Sequence, residues 1–173
     1  MKVEELKKYI RNIPDFPKKG IIFRDITPLL KNPSAFNYVI NSFAKELKSK
    51  KVDFVVSAEA RGFILGAALA YKLKAGFIPL RKPGKLPYKT IRHSFKTEYS
   101  IDAFEIHSDA LKKGSRVVIV DDVLATGGTA SAAVKLVKKL GAKVLGVLFL
   151  IELEALKGRE KLKGENVFSL IKY

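Results

Sequence analysis

The stretch from Arg116 to Thr129 constrains the fold more than any other part of the chain. It begins with the β-branched apolar run Val-Val-Ile-Val at 117–120, which is typical of a strand buried on both faces of a parallel sheet. Two aspartates follow, then a run of small residues, then apolar residues at helical spacing that end at Gly141. A strand, a short loop and a helix in this order predict one unit of an open α/β sheet.

The residues between this strand and this helix suit a phosphorylated sugar. Ligands of open α/β sheets lie at the carboxyl ends of the strands, and a helix N-terminus offers unpaired N–H groups to a phosphate. Asp121 and Asp122 would repel a phosphate, but their carboxylates suit ribose hydroxyls or a metal ion. The small and hydroxyl-bearing residues that would cradle the 5-phosphate are Ala125, Thr126, Gly127, Gly128 and Thr129. The segment therefore predicts a site for ribose 5-phosphate.

A purely structural segment is the alternative, in which the glycines only form a turn and the aspartates only cap a helix. Two other phosphate motifs do not fit the stretch. It lacks the Gly-Lys-Ser/Thr ending of a Walker A loop, and it lacks the GxGxxG pattern of a dinucleotide site.

Strands and helices alternate along the chain, which predicts an α/β fold with a twisted, mainly parallel sheet flanked by helices. Two segments at 90–99 and 104–107 alternate in polarity and predict further strands. At 173 residues the chain fits one domain, 1–173. The remaining predicted strands are 53–58, 76–80, 144–151 and 167–171, and the remaining predicted helices are 2–12, 34–49, 63–74 and 154–163.

Composition narrows the classes of function. The chain has no cysteine, which excludes thiolate chemistry and a cysteine-based metal site. No uncharged apolar run is long enough to span a membrane and no signal peptide is visible, so we expect a cytoplasmic protein. The formal net charge of +16 allows nucleic-acid binding, attraction of small anions, or a lysine-rich solvated surface. Because the lysines are scattered rather than clustered with aromatic residues, nucleic acid is the less favoured partner.

Two other polar loops follow predicted strands. Glu59-Ala60-Arg61-Gly62 precedes an apolar helix, and its arginine would suit a diphosphate, although a Glu59–Arg61 salt bridge is an alternative. The segment 81–89 is rich in lysine and arginine and contains two prolines and a glycine. It is expected to be an exposed loop, and it resembles a lid that closes over an anionic substrate.

Three segments together resemble the type I phosphoribosyltransferases, and in particular their adenine-specific members. They are the central stretch at 117–129, Arg-Lys-Pro-Gly-Lys-Leu-Pro at 81–87, and the segment 21–30. The resemblance extends from Ile13 to Tyr173. It implies the type I phosphoribosyltransferase fold, with a small N-terminal hood at about 1–30 and a mobile lid at about 81–99.

The resemblance also implies an activity, partners and residue roles. The implied reaction converts adenine and phosphoribosyl diphosphate (PRPP) to AMP and diphosphate, with Mg²⁺ as cofactor, in a homodimer. Glu98 would be the catalytic acid, and Asp121 and Asp122 would bind the ribose. The adenine-binding residues would be Ile22, Phe23 and Arg24. The diphosphate-binding residues would be Glu59, Ala60, Arg61, Arg81, Lys82 and Lys85, with a cis peptide near Glu59–Ala60 and with Arg81 acting across the dimer interface.

Two other functions stay open at this point. A transferase for hypoxanthine–guanine, xanthine or orotate would share the phosphate loop and differ only in the hood and at Glu98. A PRPP-sensing regulator that binds nucleic acid would fit the basic charge, but the chain shows no helix-turn-helix extension.

Overall fold

A computed structural model describes residues 2–96 and 101–173 of the chain. Its centre is a parallel sheet of five strands in the order β4-β3-β7-β8-β9. The strands are β3 (Phe54–Ala58), β4 (Gly76–Leu80), β7 (Arg116–Leu124), β8 (Lys143–Glu152) and β9 (Val167–Lys172). All four neighbouring pairs are parallel, which confirms the predicted sheet. Because β7 is the middle strand, the segment that follows it lies at the centre of the carboxyl edge.

Helices cover both faces of the sheet, as predicted. On one face α3 (Pro33–Glu46) and α4 (Arg61–Leu73) pack on inward residues such as Val55, Val118 and Leu148. On the other face lies α5 (Gly128–Lys139), beside an antiparallel hairpin formed by β5 (Thr90–Lys96) and β6 (Ile101–His107). Because apolar side chains on both faces of each central strand are covered, these strands read as continuous apolar runs in the sequence.

The N-terminal segment differs from its prediction. The expected helix over 2–12 ends early: α1 (Val3–Leu6) passes into a 3-10 helix (Lys7–Tyr9), and the chain then enters β1 (Arg11–Pro14). This strand pairs antiparallel with β2 (Ile22–Asp25), and α2 (Thr27–Lys31) follows. The apolar residues predict one continuous helix, and two of them, Leu6 and Ile10, are indeed buried. The helix ends before Arg11 because residues 11–14 pair with β2 as a strand.

The central strand is longer than its apolar run. β7 pairs with β3 only as far as Val120, which lies opposite Ser57. It continues to pair with β8 as far as Leu124, opposite Glu152. The two aspartates are therefore part of the strand, rather than of a loop after it. Because β3 does not pair with β7 beyond Val120, one edge of β7 is open at the carboxyl end of the sheet.

The segment after β8 forms two 3-10 helices, Glu154–Leu156 and Gly158–Leu162, where one short helix was predicted. An ion pair between Arg159 and the buried Glu152 fixes this segment against the end of β8 (Nε–Oε1 2.6 Å). Within the described residues, no helix combines the length and the apolar character that a bilayer crossing requires.

Candidate functional site

A cavity of about 560 Å³ opens at the carboxyl ends of β3 and β7, roofed by the β1–β2 hairpin. It brings together residues that the sequence predicted for three different parts of one ligand. Arg81, Lys82 and Lys85 do not line it. The predicted residues that line it are Ile22, Phe23, Arg24, Glu59, Ala60, Arg61, Asp121, Asp122, Ala125 and Thr129.

The two aspartates lie in the wall of this cavity with little room around them. Asp121 Oδ1 accepts a hydrogen bond from the backbone N–H of Asp122 (2.9 Å). A Cβ on Gly62 would lie 2.8 Å from the same oxygen, so the glycine allows α4 to begin close to the carboxylate. Burial, and then the charge of Asp122, raises the pKa of Asp121 well above its usual range. The surroundings therefore oppose ionisation of Asp121, and a positively charged or hydroxyl-rich ligand would stabilise the ionised carboxylate.

Arg61, the first residue of α4, links the acid pair to the hood. Its Nε lies 2.7 Å from Asp122 Oδ2, but the contact is not aligned as a hydrogen bond, and this buried oxygen accepts none from the described residues. The guanidinium carbon of Arg61 also lies 4.7 Å from the centre of the Phe23 ring. The Glu59–Arg61 salt bridge considered as an alternative does not form, because each residue has another partner.

Glu59 instead connects the loop before α4 to the basic segment after β4. Its carboxylate accepts hydrogen bonds from Arg81 Nε (2.6 Å) and from the backbone N–H of Lys82 (3.0 Å). Burial opposes ionisation of Glu59, but these donors outweigh it and hold its pKa below the usual range. The peptide bond between Glu59 and Ala60 is cis, as expected from the resemblance. Arg81 is thus held within its own subunit in this structure.

Phe23 forms one wall of the cavity, with the ring of Phe16 packed edge-on against it at 5.2 Å between centroids. The neighbouring side chain of Arg24 is used elsewhere: it lies over the Tyr173 ring at 3.9 Å and donates to Asn12 Oδ1. The hairpin is therefore fixed by the Arg24 side chain, which leaves the ring of Phe23 facing the cavity.

Beside the main cavity, the loop at 125–129 encloses a small cup of about 100 Å³. Gly127 has φ +77°, a left-handed conformation that other residues adopt at a cost, and it precedes the first turn of α5. Among the described residues, the backbone N–H groups of Gly128, Thr129 and Ala130 meet no acceptor. Unpaired amides around a cavity of this size fit the predicted phosphate cradle.

Gly158 supports this cup and was not identified from the sequence. A Cβ on Gly158 would lie 2.2 Å from the carbonyl oxygen of Ala125, and a Cβ on Gly127 would lie 2.4 Å from the carbonyl oxygen of Gly158. The two backbones therefore touch without any side chain between them. Sequence reasoning placed 154–163 over an exposed edge, and no local pattern signals this contact between distant segments.

Glu98, the predicted catalytic acid, lies outside the described residues, as does part of the predicted lid at 81–99. The described part of the hairpin reaches the cup through Phe95 on β5. The Phe95 ring stacks on Phe104 with 5.8 Å between centroids, and it lies 3.1 Å from the position of a Cβ on Gly128.

The donor set fits Mg²⁺ only in part. Among the residues that the structure describes, no three metal-ligating side chains of the His, Cys, Asp or Glu type converge. The buried Asp122 Oδ2 accepts no aligned hydrogen bond from the described residues and is paired with Arg61, so a water of a hydrated cation would take the place of the guanidinium there. This set suits an ion carried in by the ligand's own oxygens rather than a site built wholly from protein.

Known proteins resemble this chain in sequence and in fold. The family model for the phosphoribosyl transferase domain matches residues 26–171. An adenine phosphoribosyltransferase from a Thermotoga species is 57% identical over 169 residues, which covers 98% of this chain and 99% of that protein. Its counterpart from a Thermoanaerobacter species is 57% identical over 173 residues, which covers the whole of both chains.

Solved structures agree with these relatives. The adenine phosphoribosyltransferase of Thermoanaerobacter pseudethanolicus superposes with a TM-score of 0.96 at 56% identity, covering 99% of each chain. The Saccharomyces cerevisiae enzyme, solved with an imino-altritol bisphosphate and adenine, gives a TM-score of 0.92 at 43% identity and covers 97% of each chain.

Proposed function

Since the chain belongs to the phosphoribosyl transferase family, among its adenine phosphoribosyltransferases, we propose that the cavity after β7 transfers the 5-phosphoribosyl group of PRPP to N9 of adenine. The products are AMP and diphosphate, in a purine salvage step. The observation that carries this proposal is the main cavity, which joins the aromatic wall and the acid pair to Ala125 and Thr129, with the phosphate cup directly beside it.

The 5-phosphate lies in the cup, where the unpaired amides of the first turn of α5 and the hydroxyls of Thr126 and Thr129 donate to it. Asp121 and Asp122 accept hydrogen bonds from the ribose hydroxyls. Holding both ends of the sugar orients its anomeric carbon, and the binding energy of the remote phosphate is used at the reacting centre.

Departure of diphosphate leaves an oxocarbenium-like sugar. The two carboxylates stabilise the positive charge that develops on the ring. The negative charge of the leaving diphosphate is stabilised by Arg61 at the start of α4 and by the basic segment that carries Arg81, Lys82 and Lys85. Before the anion binds, an ion pair with Asp122 holds Arg61 at the cavity, and an ion pair with Glu59 holds Arg81.

Adenine stacks on Phe23, a contact worth about 1–3 kcal/mol per base, and the main-chain groups of Ile22 and Arg24 read its edge. Because the Arg61 guanidinium lies over the Phe23 ring in this structure, it must leave that ring before the base stacks there. Glu98 protonates or holds the purine during attack by N9.

Mg²⁺ is the cofactor of this proposal. Asp121 and Asp122 would hold it through water together with oxygens of PRPP, once Arg61 has left Asp122 Oδ2 for the diphosphate. When bound, the ion supplies neutralisation of the diphosphate charge. The chain's own residues orient the sugar and the base.

The direct test is AMP formation from adenine and PRPP, measured with and without Mg²⁺. Turnover that requires Mg²⁺ and prefers adenine over hypoxanthine and orotate supports the proposal. Faster turnover of another base assigns the chain to the rival transferases. Absence of turnover, together with a salt-dependent shift of DNA or RNA, favours the regulator.

A homodimer through α4 and the edge strand β4 forms part of the proposal. Tyr71 is 89% exposed and Ile64 is 44% exposed on the same side of α4, and Phe63 and Phe77 pack edge-to-face beside them. An apolar stripe of this kind marks an interface. Tyr71→Glu is expected to convert a dimer to a monomer in light scattering, whereas Lys72→Glu, an adjacent exposed position, is the control. A wild-type monomer, or a Tyr71→Glu dimer, contradicts the proposal.

Arg81 follows β4, and a partner packed on that edge comes within its reach, so we expect it to act on the partner's diphosphate. The test co-expresses Arg81→Ala with Asp122→Asn. If Arg81 acts across the interface, mixed dimers carry one complete site, and an equal mixture recovers about a quarter of wild-type activity while each variant alone stays inactive. No recovery in verified mixed dimers means that Arg81 acts within its own subunit, where Glu59 now holds it.

Gly158→Ala is expected to raise KM for PRPP by about 10-fold to 100-fold, because a methyl group there pushes the loop at Ala125 out of position. KM for adenine should change little, since the hood does not touch this contact. Steady-state kinetics of the folded variant test this, with the exposed Glu160→Ala in the same 3-10 helix as the control. An unchanged KM for PRPP would show that the loop does not need this support.

The remaining assignments belong to the same proposal. The chain acts as one phosphoribosyltransferase domain, with the hood at about 1–30 and the lid at about 81–99, and it works in the cytoplasm.

A further inference from the structure

A second concave surface, with a lining different from that of the main cavity, lies beside the β5–β6 hairpin. It has a volume of about 260 Å³ and lies between β5, α5 and the 3-10 helix Gly158–Leu162. Among the residues that the structure describes, its polar lining consists of basic and hydroxyl side chains. The residues that line it are His93, Ser94, Phe95, Gly128, Ser131, Ala132, Lys135 and Lys161. We call this surface the basic pocket.

The basic side chains of this pocket lack carboxylate partners among the described residues. Neither Lys135 nor Lys161 takes part in a salt bridge there. Neighbours on the same elements do: Lys138 of α5 pairs with Glu165, and Arg159 of the 3-10 helix pairs with Glu152. The positive charges of Lys135 and Lys161 therefore have no ion-pair partner among the described residues.

His93 reports this excess charge. Burial, and then the positive charges of Lys135 and Lys139, lowers the pKa of His93 below its usual 6.5. A cluster of this kind becomes more stable when an anion enters it, because the anion offsets the repulsion among the lysines and favours protonation of the imidazole.

The basic pocket is separate from the phosphate cup. The two share only Phe95 and Gly128 in their linings, and the Phe95 ring lies against the Gly128 backbone as a common wall. The cup is formed by backbone groups at 123–130, whereas the basic pocket presents side chains of the hairpin, of α5 and of the 3-10 helix.

We propose that the basic pocket binds a second phosphate group, free or as a monoester, through His93, Lys135 and Lys161, with the hydroxyls of Ser94 and Ser131 as further donors. Such a ligand touches the lid hairpin, the phosphate-binding helix and the 3-10 helix that supports the phosphate loop. Its binding therefore stabilises the packing of the hairpin on α5. This role does not depend on the transfer reaction.

The chain offers a clean probe, because it contains only two histidines, His93 and His107. The pKa of each imidazole is measured by NMR in the full chain, with inorganic phosphate, with AMP, and with sodium chloride at matched ionic strength. His93→Gln assigns the signals. We expect phosphate or AMP to raise the pKa of His93 toward 6.5 or above in a saturable way, beyond the effect of chloride, while His107 stays unchanged.

Two variants decide where the anion binds. Lys135→Gln with Lys161→Gln should weaken the saturable effect at least about tenfold, whereas Lys138→Gln, on the same helix but paired with Glu165, should preserve it. A response to inorganic phosphate assigns a free anion, and a response to AMP alone assigns a monoester. If neither ligand exceeds chloride, or if the effect persists in the double variant, the proposal is overturned, and the persistent effect then comes from the cup. The AMP-formation assay is independent of these outcomes.

Discussion

Asp121→Asn is expected to lower kcat by about 10²–10³ and at the same time to raise the melting temperature of the unliganded protein. The loss of rate follows because a carboxylate that faces the developing sugar cation is replaced by a neutral group. The gain in stability follows because burial and Asp122 oppose ionisation of Asp121. Asparagine keeps the oxygen that accepts the Asp122 N–H at 2.9 Å, so the local structure is retained. Each kcal/mol gained in the free energy of unfolding raises the melting temperature of a chain of this size by about 2–4 °C.

The pH dependence of this gain has a definite sign. The pKa of Asp121 is raised in the folded state, so its favourable contribution is complete below the unfolded value of 3.8 and is lost as pH rises through the folded value. Asparagine does not titrate. The gain in melting temperature should therefore be absent below 3.8 and should grow as pH rises from there toward the folded pKa. Calorimetry of both proteins across this range measures it.

Asp122→Asn is the matched control. It makes the same chemical change one residue later, but it also removes the ion pair with Arg61. It should weaken PRPP far more than adenine. Its stabilisation should be smaller, because burial also raises the pKa of Asp122 but loss of the Arg61 ion pair offsets the relief. A lower melting temperature for Asp121→Asn at neutral pH, or equal loss of PRPP and adenine binding in Asp122→Asn, would make these aspartates structural residues.

Glu98→Gln is expected to lower kcat by about 10²–10⁴, because it removes the proposed proton donor and keeps its shape. KM for PRPP should change little, since the sugar and its phosphate are held by other residues. Steady-state kinetics with adenine and PRPP measure both values.

Asp109→Asn, an exposed carboxylate after the β5–β6 hairpin, is the control for charge removal near the lid. Glu98→Asp should recover part of the lost rate if the carboxylic acid itself is needed. A Glu98→Gln enzyme within threefold of the parent would remove Glu98 from the mechanism.

The sequence predicted the parallel sheet well because each buried strand has its own apolar run, which can be recognised without knowing its neighbours in the sheet. The apolar run at 117–120 and the small loop after the acid pair each signal a local structure, and both appear where predicted. The prediction of a helix over 2–12 was wrong because the structure there depends on a second segment of the chain. β1 exists only because β2 pairs with it, and strand pairing between separate segments overrides a weak helical pattern.

The sequence predicted which residues line the candidate site, but it did not predict which of them form ion pairs with each other. The ion pairs Arg61–Asp122 and Glu59–Arg81 join segments that are far apart in the chain. Sequence spacing offered only the neighbouring pair Glu59–Arg61, as an alternative to diphosphate binding. Gly158 could not be predicted, since its importance lies in the backbone of Ala125 that it touches.

The most direct measurement is a crystal structure of the protein with PRPP bound. Hydrogen bonds of about 3 Å should join the 5-phosphate to the backbone amides at 128–130, and the ribose hydroxyls should lie on Asp121 and Asp122. A loop at 125–129 that stays closed and empty, with PRPP bound elsewhere on the chain, would contradict the whole assignment.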